Sequence, residues 1–266
     1  MSMPGVSPAM TVVLADLLAE GAELDALVAA DRVDFAAPTP AVGWTIAHQI
    51  GHLTWTDELA VLCCGDPDGF AATRRGIVAD LAAAIEAGAA AAVGRPVPEV
   101  LSGWRDGRAA VVQALRGVPP GTRLPWLGPP MGAGTMAGAR ITETWAHGQD
   151  VADALGAVRA ATDRLRHVAD LGVRTRDHSF VTHGLAPPDA SFRVELISPS
   201  GAVWAWGPAE ADQRLTGQAL DFCLLVTRRR HPDDLDLSTV GEWAALWLTI
   251  AQAFAGPPGA GRPPER

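Results

Sequence analysis

Neither lysine nor tyrosine occurs anywhere in this chain of 266 residues. Chemistry that needs either side chain by name is therefore excluded: Schiff bases and pyridoxal phosphate attachment, the lysine of phosphate-binding loops, and tyrosine as a catalytic acid. Cysteine is scarce. Cys63, Cys64 and Cys223 form an odd count that supports no disulfide framework and fits a reducing compartment. Basic charge is in deficit, with a formal net charge of -9 and one dense basic run, Arg228, Arg229 and Arg230. Phosphate backbones require a basic stripe, so no nucleic-acid partner is expected. No apolar stretch approaches the ~20 residues of a membrane-spanning helix, and the opening MSMPGVSPAM lacks a basic head followed by an apolar segment. These absences lead to the expectation of a cytoplasmic protein, monomeric or homodimeric, that acts on a small molecule away from membranes.

What is present is an ordinary globular composition, 48% hydrophobic and 19% charged, in a chain long enough for one large core or two smaller ones. Val13, Leu14, Leu17, Leu18, Leu24 and Leu27 recur at helical spacing and predict a first helix over Met10 to Ala30. After the turn APTPAVGW, Thr45 is placed to cap a second helix that runs to about Cys64. The Ala-rich stretch from Asp68 to Val93 and the segment Pro98 to Leu115 read as further helices. The Gly- and Pro-rich segment GVPPGTRLPWLGPPMGAGT should be a long loop. Thr135 is then expected to cap a helix ending at Gly156. Residues Ala160 to Phe180 continue in helical style.

Beyond them the pattern changes. SFRVELISPSGAVWAWG alternates apolar and polar residues about a Ser-Pro-Ser-Gly turn, a hairpin signal, and Thr216 to Arg229 and Glu242 to Phe254 read as two more helices. The expected fold class is α+β. Its expected parts are a helical-bundle metal-binding domain (1–158), a bridging helix and linker (159–185), a small α+β domain (186–256) and a flexible tail (257–266).

Two short signatures about ninety residues apart stand out. His48 and His52 lie in GWTIAHQIGHLTW, and Glu143 and His147 lie in ARITETWAHGQDVADAL. Each pair is spaced by four, so each sets two ligand-type side chains on one helix face. If those helices pack side by side, imidazole and carboxylate groups meet inside a bundle, where metal sites commonly arise. His48, His52, Trp55 and Leu59 share one face of the earlier helix, while Ile46, Ile50 and Leu53 share another, which implies burial among neighbours. On the later helix Arg140, Glu143, His147 and Asp150 fall on one stripe. A carboxylate beside imidazoles suits a divalent ion. The same spacing also suits a structural salt-bridge cluster of Glu143 with Arg140 or a protonated histidine.

The words GWTIAHQIGHL and ITETWAHGQDVADALG resemble the two metal motifs of the DinB-like superfamily, specifically its mycothiol-dependent maleylpyruvate isomerase and mycothiol S-transferase branch. The resemblance covers nearly the whole chain and implies a four-helix metal-binding bundle followed by a small α+β domain ending in a helix like GQALDFCLLVTRRR. It implies His52, Glu143 and His147 as ligands of a divalent metal, zinc before others, with water or a thiolate in the fourth place. His48 and Asp150 become supporting residues, Asp150 orienting a ligand imidazole. The resemblance further places an arginine against the substrate carboxylate; Arg229 matches best, with a solvated helix end as its structural alternative. Arg140 and Trp126 are further substrate-binding candidates, Trp126 at the pocket mouth or simply packed.

The implied chemistry is activation of a low-molecular-weight thiol, mycothiol, as cosubstrate for addition to an electrophilic small molecule, giving isomerisation or S-transfer. The residues leave open a thiol-independent hydrolase or tailoring enzyme using the ion as Lewis acid, and a non-catalytic metal-binding protein. Cys63, about 16 Å along a helix at ~1.5 Å per residue from His52, cannot share the ion, and the three cysteines read as core. GAGTMAG follows no strand and has the wrong spacing for a phosphate loop.

Overall fold

The computed structural model describes residues 7–29, 33–257, 259 and 261–265. The chain divides into two compact units, 1–159 and 160–266.

The first unit is helical throughout its regular elements: α1 (Pro8–Val28), α2 (Ile46–Gly65), α3 (Pro67–Ala79), α4 (Leu81–Ala90), α5 (Val97–Gly117) and α6 (Ala133–Leu155). Local chemistry sets the boundaries. Ser7 caps α1 by accepting from the Met10 amide, with Pro8 in the first turn where its missing N–H costs nothing. Ala30, the expected end of this helix, lies outside the described residues. Thr45 is the N-cap of α2, as its position suggested. The Ala-rich stretch read as one helix is two. Asp80 leaves helical geometry (φ −146°, ψ 81°) and its Oδ1 accepts from the Ala83 amide at 3.0 Å, so it closes α3 and caps α4. The cap expected at Thr135 lies three residues earlier: Gly132 is the N-cap, and Thr135 sits inside the first turn of α6. The long loop before it is pinched by a two-way backbone pairing of Leu124 with Met131.

α2 lies at the centre of this unit, against α4, α5 and α6, while α1 covers α6. Ile46, Ile50 and Leu53 are fully buried with Leu24, Trp104 and Val151, and Leu59 and Cys63 join Leu14, Val111 and Ile141 in a second cluster. Burial on both faces of α2 is what its two apolar stripes require. α4 approaches α2 closely because Gly51 has no side chain: a Cβ there would collide with the carbonyl oxygen of Ala89. At Gly88, likewise, a Cβ would strike the Trp55 ring. These contacts set α4 as one wall beside the histidine face of α2.

The second unit contains α7 (Leu165–Arg174), α8 (Arg176–Thr182), β1 (Phe192–Ile197), β2 (Val203–Trp206), β3 (Gln213–Gln218), α9 (Ala219–Val226), a 3-10 turn (Pro232–Asp234), β4 (Leu237–Val240) and α10 (Glu242–Ile250). The sheet order is β2-β1-β3-β4, with β1 parallel to β3 and the other pairs antiparallel. The expected hairpin is β1–β2, with Val194 opposite Trp206. Two strands were not expected. β3 (Gln213–Gln218) takes the first three residues, Thr216–Gln218, of the segment read as helix, which begins only at Ala219; QRLTGQ buries Leu215 alone and so carries no alternation that a sequence reading can detect. β4 is an edge strand of four residues with no fully buried side chain. Trp247 of α10 closes the core edge-on against Phe192 and Phe222, with ring centroids 5.9 Å and 5.8 Å away. The architecture is thus α+β, a helical unit followed by a small mixed sheet with its helices. The expected flexible tail, 257–266, falls partly outside the described residues.

Candidate metal centre

α2 and α6 bring His52, Glu143 and His147 together; one ligand atom from each lies within 4.8 Å of the others. Glu143 Oε2 is 3.3 Å from His52 Nε2 and 3.3 Å from His147 Nε2. A tetrahedral ion with bonds of about 2.0–2.1 Å has ligand-to-ligand edges of about 3.3–3.4 Å, so these two separations match two edges of such a site. His52 is buried, while the Glu143 side chain is 31% exposed and leaves one side of the cluster accessible. Burial pushes the Glu143 carboxyl up, but hydrogen bonds and charge from His147 and His52 outweigh it and hold it well below the usual carboxylate range. The glutamate is therefore an anion between two imidazoles.

The surroundings hold the two rings unequally. His147 Nδ1 is 2.5 Å from Gln49 Oε1, while His52 Nδ1 is buried without a hydrogen-bond partner. Trp44 lies against both rings. Its indole is stacked on His147 (6.0 Å, 19°), tilted against His52 (5.4 Å) and stacked on His48 (6.2 Å). Trp55 covers His52 from the other side at 5.9 Å. Gln49 and Trp44 are not ligand types, although both stand inside the histidine motif. Their signal was a buried amide and an aromatic at the helix start, each ordinary until the later helix is in place.

His48 is turned to a different task. Its Nδ1 accepts the Thr45 amide at 3.1 Å and lies 2.9 Å from Thr45 Oγ1, which closes a reciprocal cap on the first turn of α2. It fixes where α2 begins. Asp150 is buried on α6, one turn past His147; the hydrogen bond described on the His147 ring comes from Gln49. Arg140, one turn before Glu143, is buried and donates to Asp57 Oδ1 (2.9 Å) and Thr56 Oγ1 (2.7 Å). Its guanidinium thereby ties α6 to α2 beneath the cluster. Burial pushes the Asp57 carboxyl up against the opposing pull of Arg140.

Residues 17–152, which hold all three clustered groups, match the family model described as mycothiol maleylpyruvate isomerase N-terminal domain. The chain belongs to this family. Two relatives from Mycobacterium tuberculosis, of strains CDC 1551 and H37Rv and both described as uncharacterized, are 55% identical over 252 residues, covering 94% of this chain and 97% of theirs. Among solved structures, the crystal structure of the mycothiol-dependent maleylpyruvate isomerase superposes with a TM-score of 0.57 at 15% identity, covering 86% of this chain and 92% of that one. A mutant of the same protein gives 0.55 over 83% and 89%. At that identity the likeness is one of fold. Residues 188–239 match a second model, described as wyosine base formation, over the sheet and α9.

The remaining candidates of this mycothiol maleylpyruvate isomerase family member are placed as follows. Trp126 packs in parallel on Phe70 (5.7 Å, 4°), and its carbonyl accepts from Arg74 at 2.7 Å. Arg229 belongs to the second unit, in the turn after α9, where its Nη1 donates to the Thr227 carbonyl at 2.7 Å. The cysteines are free thiols. Burial pushes Cys63 up to about 12 and Cys64 up to about 11, and raises Cys223 as well, so none supplies a thiolate near neutral pH. No helix among the described residues is long and apolar enough to cross a membrane.

Proposed function

We propose that this protein is a metal-dependent enzyme, with zinc the metal, that activates a low-molecular-weight thiol such as mycothiol for addition to an electrophilic small molecule. The observation that carries this reading is the convergence of His52, Glu143 and His147, with Glu143 Oε2 3.3 Å from each imidazole and its side chain 31% exposed. When bound, a divalent ion supplies a Lewis acid that stabilises a thiolate at neutral pH.

The chain's own residues do the rest. Two neutral imidazoles and one carboxylate cancel only one unit of a dication's charge, so the pocket favours an anion at its open side. Trp44 and Trp55 screen His52 from solvent, which strengthens that attraction. Since Cys63 and Cys223 are buried, Cys64 is half-buried and all three hold their protons, the nucleophile is supplied by the small-molecule thiol. Its sulfur adds to an activated double bond. Rotation followed by expulsion of the same thiol yields the other geometric isomer, whereas retention of the new carbon–sulfur bond yields the transfer product. The names of the family and of the solved relative support the thiol and the isomerisation.

Native mass spectrometry of the zinc-loaded protein, with and without mycothiol, tests the proposal. A one-to-one thiol complex that disappears when the metal is removed is the expected result. Turnover of an electrophilic substrate at the same rate without any thiol would overturn it.

A further inference from the structure

We infer that Gln49 is a positioning residue that fixes the tautomer of His147, through a proton-ordered chain running from the loop before α2. The inference rests on the metal reading above for its purpose, but its geometry stands without it.

The chain can be followed proton by proton. The Trp44 carbonyl is an acceptor only, and the Thr39 hydroxyl donates to it at 2.9 Å. That spends the single proton of Thr39, whose oxygen must then accept its other contact, from Gln49 Nε2 at 2.9 Å. With its amide nitrogen committed to Thr39, Gln49 presents Oε1 to His147 Nδ1, 2.5 Å away. An acceptor there obliges Nδ1 to carry the proton. Nε2, 3.3 Å from Glu143 Oε2 and hydrogen-bonded to it, is then the ring nitrogen left to exchange its proton for a cation. Gln49 is fully buried, so this arrangement has no solvent to exchange with.

The loop that starts the chain is itself held. Pro38 pairs with Thr45, the Thr39 amide also donates to the Trp44 carbonyl at 2.8 Å, and the Trp44 amide closes on Ala41 at 2.9 Å. One short loop therefore orients His147 twice, by a hydrogen bond relayed through Gln49 and by the stacked face of Trp44. His52 has no such tether, since its Nδ1 meets no partner. Of the two imidazoles, His147 is the one prepared in advance to coordinate through Nε2. Partners of this kind typically change metal affinity 10–100-fold when removed.

The test begins with the metal-free full-length protein labelled with nitrogen-15 histidine, whose ring protons are placed by long-range proton–nitrogen correlation. The His147 signals, assigned by their loss in His147→Gln, should show a proton on Nδ1. A bare Nδ1, with the proton on Nε2 alone, would overturn the inference. Gln49→Leu should release the ring to both tautomers and weaken zinc binding, measured by chelator competition, by ~10–100-fold. Gln49→Glu, which keeps an acceptor, should retain both the tautomer and most of the affinity. Equal zinc affinity in the Leu and wild-type proteins would also overturn it. If wild type binds no zinc, the proposed function fails while the tautomer result still stands or falls alone.

Discussion

The indole nitrogen of Trp44 donates to Glu86 Oε1 at 2.9 Å, so a residue of α4 holds the ring that lies against His52 and His147. The contact explains why α4 matters to a cluster whose groups all sit on α2 and α6. It also separates the part Trp44 plays through its ring from the part it plays through its carbonyl. Trp44→Leu keeps the carbonyl and loses the ring, and it should weaken zinc binding by roughly tenfold, in line with other outer contacts of metal ligands. Glu86→Gln retains an acceptor and should bind zinc nearly as wild type does. Chelator competition on both variants checks this, and equal affinity in all three proteins would return Trp44 to plain packing.

The three clustered groups and the capping histidine should part ways under substitution. His52→Ala and His147→Ala are each expected to lose stoichiometric metal, because two donors seldom hold a divalent ion against buffer. His48→Ala should keep its metal and lose ~0.5–2 kcal/mol of stability, the usual cost of a helix cap. Elemental analysis and denaturant unfolding of the same preparations distinguish the two behaviours. A full complement of metal in the His52 variant would end the ligand assignment.

The pair of Asp57 and Arg140 is buried directly beneath the cluster, with the arginine also held by Thr56. Removing one partner strands a charge in the core. Asp57→Ala should therefore cost ~3–5 kcal/mol, whereas the double change Asp57→Leu with Arg140→Met should cost much less. A double-mutant cycle by urea unfolding measures the difference, and additive losses would show that the two side chains do not act as a unit.

Acid should expose a different ion pair. Asp25 on α1 receives hydrogen bonds from Arg105, and these, with the charges of Arg108 and Arg105, outweigh burial and lower its pKa. A carboxyl lowered on folding binds its proton more weakly in the native state. Its stabilisation is present above the ordinary carboxylate value and is lost as pH falls through the lowered one. Asp25→Asn should thus melt below wild type at about pH 7, and the gap should close by about pH 2. A gap that stays constant with pH would assign the effect to packing.

How far the sequence could be read depended on whether a feature was local. α2, with its cap at Thr45, and α6, with its stop at Gly156, were legible because capping residues and helical periodicity act within a few positions. So was the β1–β2 hairpin, whose turn and alternation are both written in consecutive residues. β3 was not, because QRLTGQ becomes a strand through backbone pairing with β1 rather than through a pattern of its own. The split at Asp80 was hidden by alanine, which favours helix on both sides and masks the one residue that leaves it.

The same division runs through the site. By itself the sequence determined the residue types and their spacing of four, which settle which side chains share a helix face. The tertiary structure decided which of them meet: it gathers His52, Glu143 and His147, turns His48 to the helix cap, commits Arg140 to Asp57, and recruits Gln49 and Trp44. Spacing along one helix fixes a direction, but a metal centre needs a point. Only the packing of α2 against α6, with the preceding loop folded over both histidines, supplies it.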